Sequence, residues 1–343
     1  WSYYSNKLMQ ERYALDDEML KPYFKLENVQ KGVFDLATRL YGITFKEVNN
    51  IPLYHPEVKT YEVYDNDGSF LAVLYTDFFP RESKGGGAWM TQFRGQKMVD
   101  GKDQRPLVSL VMNFTKPTDT KPSLLTFNEV TTFLHEFGHA LHGMFSKCTY
   151  GSTSMDGVSR DFVELPSQFM ENYALEKEWL DTWAVHYQTG EKIPQEYIDK
   201  IKKSSNFQAG YASDRQLSFG MVDMAWHTIT EPVTEPLADF EQRAMGKTEI
   251  MPLVKGSAFS PAFGHIFAGG YAAGYYGYKW AEVLDADAFS LFKQNGIFDK
   301  ATAESFRRNV LEKGASENPM TLYKRFRGQE PTVDALLERS GLK

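Results

Sequence analysis

The sequence predicts a mainly α-helical fold with one small β-sheet set into it. Three observations carry that reading. Apolar residues recur at three- and four-residue steps through residues 2–48 and again from Thr126 onward. Between them, a stretch rich in Tyr and Val alternates around an Asp-Gly pair. Of the 343 residues, 42% are apolar and 15% aromatic, which is enough to bury a large core.

Residues 2–48 parse as two helices separated near Pro22, with Gly42 as a stop. Val58 to Asp77 is expected to form a β-hairpin turning at Asp67-Gly68. Gly85-Gly86-Gly87 interrupts the pattern, and Leu107 to Phe114 adds a further apolar strand, for a sheet of about three to five strands. Helical patterning dominates thereafter. No internal repeat, low-complexity tract or long linker divides the chain, so residues 1–343 are expected to form one mainly helical unit with a small embedded sheet.

The charge balance narrows the function classes. A net charge of -7 favours neither nucleic acid nor an anionic membrane surface. No run of about 18 apolar residues occurs, so no membrane span is expected. The single cysteine, Cys148, excludes an internal disulfide framework and fits a reducing compartment, and the expected location is cytoplasmic. The chain opens on Trp1 with no basic and apolar leader, the expectation for the interior of a longer polypeptide.

Chemistry enters at residues 135–139, which read HEFGH inside a segment patterned as a buried helix. One helical turn separates His135 from His139, so both imidazoles can reach a single zinc ion. Glu136 lies one residue round, placed to take a proton from an attacking water and pass it to a leaving amine. A catalytic zinc site needs a third protein ligand. Glu164 stands 25 residues beyond His139, at the start of a second helix, since Pro166 is tolerated only in a first turn. Asp161 and Glu171 are its rivals, and Glu171, about two turns further on, suits a hydrogen bond to a ligating histidine better. His142, two turns past His135, reads as a structural or helix-capping residue. The reaction type these residues support is addition of water to an amide carbonyl.

A second group lies at FGHIFAGGYAAGYYGYKW, residues 263–280. Tyr271, Tyr275 and Tyr278 fall at i, i+4 and i+7, so three phenols would share a helical face. That face is either an aromatic core stripe or a set of hydroxyl donors for a developing oxyanion. Gly269-Gly270 precedes it, and His265 lies outside the stripe. Gly85 to Phe114, containing GGGAWMTQF, is either a surface loop before a strand or an edge that pairs with an extended peptide.

Three blocks in order, HEFGHALHGMFS, DFVELPSQFMENY and GHIFAGGYAAGYYGYKW, resemble the thimet oligopeptidase family of zinc metallopeptidases, and within it the peptidyl-dipeptidase branch. The likeness runs from the YALD start to NPMTLYKRFRG near the end. It implies a zincin-like helical domain with a small sheet beside the active site and a deep channel between two lobes. Family members are about twice this length, so the resemblance also implies that an N-terminal half is missing here. It further implies one zinc ion per chain, held by His135, His139 and Glu164, with Glu136 as base. His265, Tyr271 and Tyr278 match residues that bind substrate and steady the tetrahedral intermediate, with Tyr275 as a helper. The partners implied are short peptides. One extra residue in HIFAGGY, relative to the family's endopeptidases, points to release of C-terminal dipeptides, with internal cleavage or a silent peptide-binding fragment as the alternatives. Arg160, the Tyr271 face and Lys255 are the candidates for holding a terminal carboxylate.

Overall fold

The computed structural model of the chain describes residues 1–251 and 254–343. Helix α1 (Ser2–Tyr13) buries none of its side chains. After a turn around Pro22, α2 (Leu26–Tyr41) places Val29, Val33, Leu36 and Leu40 on one buried face, the stripe expected of a helix lying on a core. Gly42 ends it at φ 77°, a left-handed conformation that glycine adopts without Cβ strain, with its amide donating to the Thr38 carbonyl. The helical reading of residues 2–48 fails beyond this point. Thr44–Val48 is strand β1, because five successive residues find antiparallel partners on β2.

β2 (Lys59–Tyr64) and β3 (Phe70–Asp77) form the expected hairpin, closed by the Gly68 amide on the Asp65 carbonyl. Then follow β4 (Trp89–Arg94), a two-stranded ribbon of β5 (Lys97–Val99) and β6 (Lys102–Gln104), and β7 (Leu107–Val111). The main sheet runs β1-β2-β3-β7-β4, with β7 parallel to β3 and the other pairs antiparallel. β7 stops at Val111 instead of running on to Phe114; beyond it the Met112 amide still meets the carbonyl of Asp77, the last residue of β3, and the Phe114 amide meets that of Phe78. β4 lies at the open edge.

Helix α3 (Phe127–Phe145) packs against β7 and β4 and carries the HEFGH segment. A capping box starts it, with Thr126 Oγ1 accepting from the Glu129 amide and Glu129 Oε2 accepting from the Thr126 amide. α4 (Leu165–Glu171) crosses it with Pro166 in the first turn. The crossing is close because of Gly138, where an added Cβ would come within 2.3 Å of the Pro166 carbonyl oxygen. Around this pair lie α5 (Gln195–Ser204), α6 (Ala209–His227), α7 (Leu237–Met245), α8 (Gly277–Asn295), α9 (Lys300–Phe306) and α10 (Pro319–Arg327). The main core joins α2, α3, α4, α8 and one face of the sheet. A smaller cluster, Val222, Met245, Phe263, Ile266 and Tyr275, joins α6 and α7 to the tyrosine-rich segment. No described helix is long and apolar enough to cross a membrane.

The α3–α4 crossing sets a test. Gly138→Ala should destabilise the fold by about 1–3 kcal/mol in urea unfolding, since the methyl group meets backbone rather than a movable side chain. Stability unchanged from the parent would mean that the two helices separate freely.

Candidate metal centre and catalytic cleft

The α3–α4 crossing delivers one carboxylate to two imidazoles. Glu164, only 1% exposed, sets its Oε2 3.2 Å from His135 Nε2 and 3.2 Å from His139 Nε2. The three candidate ligand atoms lie within 4.8 Å of one another, and no other such group occurs among the described residues. Two nitrogens and an oxygen converging in this way suit zinc, with a fourth position left to the cleft. Buried His139 Nδ1 has no hydrogen-bond partner, so that ring is held by packing and by what its Nε2 faces.

The charges in this cluster depend on one another. Burial would raise the Glu164 carboxyl, but the His139 and His135 imidazoles outweigh it and hold it well below the usual range. Burial would lower His135, but hydrogen bonds to Glu164 and Glu171 carry it well above. A cluster of this kind takes up a cation in exchange for protons. Glu171 Oε1 sits 2.6 Å from His135 Nδ1, the contact expected from its position two turns along. It orients the ring so that Nε2 faces the ligand point.

Glu136 is 6% exposed, and burial raises its carboxyl, partly offset by the neighbouring histidines and the Met90 amide. With His135, Glu171, His265, Tyr278 and Ala88 it lines a cleft of about 310 Å³. Asp161 stays out of the ligand group, and its carboxylate accepts from the Tyr276 hydroxyl at 2.9 Å. His142 is wholly buried, and burial lowers it to about 3. The structural reading of His142 stands and the capping one does not, since neither ring nitrogen has a partner.

The tyrosines do gather, but not on one helical face: Tyr278 lies in the first turn of α8 (Gly277–Asn295), and Tyr271 and Tyr275 precede it. Gly264–Phe267 is a single turn, residues 272–276 are turns, and α8 begins only at Gly277. Ala273 takes a left-handed φ of 51°, which breaks the helical path, and buried Asp223 of α6 sustains the break by accepting from the Ala273 and Tyr275 amides, each at 2.9 Å. The loop nevertheless stacks Tyr271 on Tyr278, with centroids 5.0 Å apart, and brings Tyr275 within 5.1 Å of Tyr278. The His265 ring lies about 6 Å from all three. Tyr271 donates its hydroxyl to Glu164 Oε1, Tyr275 donates to Gln216 Oε1 at 3.2 Å, and the Tyr278 backbone carbonyl accepts from Gln168. Burial raises all three phenols, Tyr275 to about 12 and the other two further, with the Glu164 charge adding to the effect. They are neutral donors at ordinary pH.

Asp223, Gln216 and Gln168 were not found from the sequence. A lone acid in the apolar run FGMVDMAW was the one available signal for Asp223. Of the candidate cations, the Arg160 guanidinium lies 5.1 Å from the Tyr271 ring centre and has no acidic partner among the described residues, whereas Lys255 is simply exposed.

Peptidase family M3 matches residues 1–342. Oligopeptidase A of Escherichia coli K12 is 45% identical over 349 residues, covering 100% of this chain and 51% of its own length. Dipeptidyl carboxypeptidase of Salmonella typhimurium LT2 is 42% identical, covering 100% and 50%. Probable cytosolic oligopeptidase A of Arabidopsis thaliana is 41% identical, covering 99% and 50%. The chain thus spans about half the length of these relatives. The M32 carboxypeptidase of Deinococcus radiodurans R1 shares the fold with a TM-score of 0.56 at 17% identity, over 93% of this chain and 59% of that one. A carboxypeptidase of Pyrococcus furiosus does so with a TM-score of 0.55 at 13% identity, over 93% and 58%.

Dialysis against a weak chelator tests the ligand set. Glu164→Ala should lose metal readily and Asp161→Ala should hold it like the parent. Glu171→Gln should weaken retention by about 10- to 100-fold, the usual cost of removing the partner of a ligating histidine. Metal loss from Asp161→Ala with retention in Glu164→Ala would reverse the assignment.

Proposed function

Since the chain belongs to peptidase family M3, we propose that it is the catalytic part of a zinc metallopeptidase that hydrolyses oligopeptides and releases dipeptides from their C-termini. The observation that carries the reading is the meeting of His135, His139 and Glu164 at one point, with Glu136 and Tyr278 lining the cleft beside it. Held by those three side chains, zinc would supply a Lewis acid that polarises a carbonyl and acidifies water.

The remaining work falls to the chain's own groups. Glu136, with its carboxyl raised by burial, accepts a proton from the attacking water and returns it to the leaving amine. Tyr278 is the better placed oxyanion donor, because it lines the cleft while Tyr271 is engaged with Glu164. Tyr271 therefore serves first to orient that carboxylate, and becomes a substrate donor only on leaving it. His265 at the cleft wall and Tyr275 beside it would contact substrate. The open edge of β4, whose Met90 amide approaches Glu136, offers main chain to an extended peptide.

Release of dipeptides draws support from the extra residue in HIFAGGY and from a relative named dipeptidyl carboxypeptidase at 42% identity. Internal cleavage is the second reading, favoured by relatives named oligopeptidase A at up to 45%. An N-terminal half, as in relatives twice this length, would furnish the opposite wall of the channel. A cytoplasmic location accords with the relative named as cytosolic.

Glu136→Gln should keep zinc yet lose turnover by about 10²- to 10⁴-fold, and activity within about tenfold of the parent would remove Glu136 from the base role. In the same assay Tyr278→Phe should lower kcat with little change in KM, because its hydroxyl acts mainly in the transition state.

Exo and endo cleavage separate in a timed digest of an acetylated decapeptide read by mass spectrometry. The free acid should lose dipeptides stepwise, and the C-terminally amidated form should be cut at least about a hundredfold more slowly, since deleting a paired charge strands its partner. Equal cutting of both forms at internal bonds would establish the oligopeptidase reading instead.

A further inference from the structure

The loop joining β3 to β4 is held from below and bare on top. At its root Lys84, with a side chain 1% exposed, donates to the carbonyls of Asp77, Phe79 and Met112 and to Asp77 Oδ1, at 2.6–3.1 Å. Asn113 Nδ2 donates at 2.8 Å to the carbonyls of both Gly85 and Gly87. Every peptide bond here is trans, so a residue's carbonyl and the next residue's N–H point in opposite directions. The amides of Gly86 and Ala88 consequently project together from the side of the loop away from Asn113. Neither finds an acceptor among the described residues. Gly86 has no positive φ and a Cβ there would meet nothing, so packing within the chain does not call for glycine at that position. A bare backbone of this kind fits close approach by a ligand.

Its place on the cleft indicates which ligand group. Ala88 lines the cleft with His135 and Glu136, and β4 begins at the next residue. A peptide laid antiparallel on β4 directs its C-terminal end toward the start of that strand, and antiparallel pairing is the more stable choice. The Met90 amide approaches Glu136, which puts the scissile bond near Met90. Two residues further along, roughly 7 Å in an extended chain, the peptide reaches Ala88, and Gly86 lies two residues beyond it on the loop. We infer that the paired amides of Gly86 and Ala88, held by Asn113 and Lys84, bind the C-terminal α-carboxylate of the peptide substrate and so set cleavage two residues from its end. Two N–H donors facing away from Asn113 offer a bond to each oxygen of a carboxylate and leave no cation to be neutralised when the site is empty. This inference rests on the peptidase reading and gives it a ruler.

Titration calorimetry on the zinc-loaded chain tests it, using one dipeptide as free acid and as amide. The free acid should bind the parent more tightly than the amide. Gly86→Pro, which deletes one donor, and Asn113→Leu, which frees both carbonyls, should each weaken free-acid binding by about tenfold and leave amide binding unchanged. Gly86→Ala keeps the N–H and should match the parent. Asn113→Leu decides the matter if Gly86→Pro does not fold by circular dichroism. Equal losses for acid and amide would overturn the inference, leaving the loop as a main-chain rail. A loss seen in Arg160→Ala but in neither loop variant would also overturn it and move the carboxylate to that guanidinium. Failure of the dipeptidase reading has a different signature, equal cleavage of the free and amidated decapeptides by the parent.

Discussion

Everything at this site depends on how closely α3 and α4 approach. A carboxylate buried to 1% exposure is costly unless its charge is met, and Glu164 is met only because Gly138 lets the first turn of α4 lie against the HEFGH face. Move that turn out by a methyl group and the carboxylate no longer reaches two imidazoles at 3.2 Å. The sheet, the capping box and the aromatic core under α3 all serve to hold one side of this crossing still. Ser167 holds the other, its hydroxyl donating to Glu164 Oε2 at 2.8 Å.

Glu164 also joins the two apolar clusters. Its Oε1 accepts from Tyr271, which belongs to the turn-rich loop of the smaller cluster, while its Oε2 faces histidines rooted in the larger. The loop itself is shaped by Asp223, whose carboxylate takes two loop amides that a helix would have paired internally. One buried acid thus sets the loop's path and another fixes its contact with the metal centre. The tyrosine-rich loop is placed by charge as much as by packing.

This division explains what the sequence could and could not disclose. His135, His139, Glu164 and Glu171 were legible because each spacing obeys the helical period and Pro166 marks where a helix starts. The hairpin was legible through Asp67-Gly68, and the central strand through its apolar run. The tyrosines were recognised as a group for the wrong reason. Their i, i+4, i+7 spacing suggested a helical face, but Ala273 at positive φ and the Asp223 bonds are long-range effects that periodicity cannot register. β1 was missed similarly, since the pairing with β2 that makes it a strand lies outside any local window. The unpartnered amides of Gly86 and Ala88 depend on Asn113, which follows β7 across the sheet.

Three glutamates around one pair of histidines illustrate how environment rather than residue type sets the state of an acid. Glu164 lies between two imidazoles, and their field overcomes burial and holds it ionised, the state a metal ligand needs. Glu136 is nearly as buried but meets those charges less directly, so burial wins and its carboxyl is raised, the direction that suits the base role proposed for it. Glu171 is the most exposed of the three and meets His135 on the Nδ1 side, away from Glu164, a contact that orients the ring. Their roles separate because neighbouring groups push otherwise identical acids in different directions. A change that equalised the surroundings of Glu136 and Glu164 would blur base and ligand even with every side chain still present.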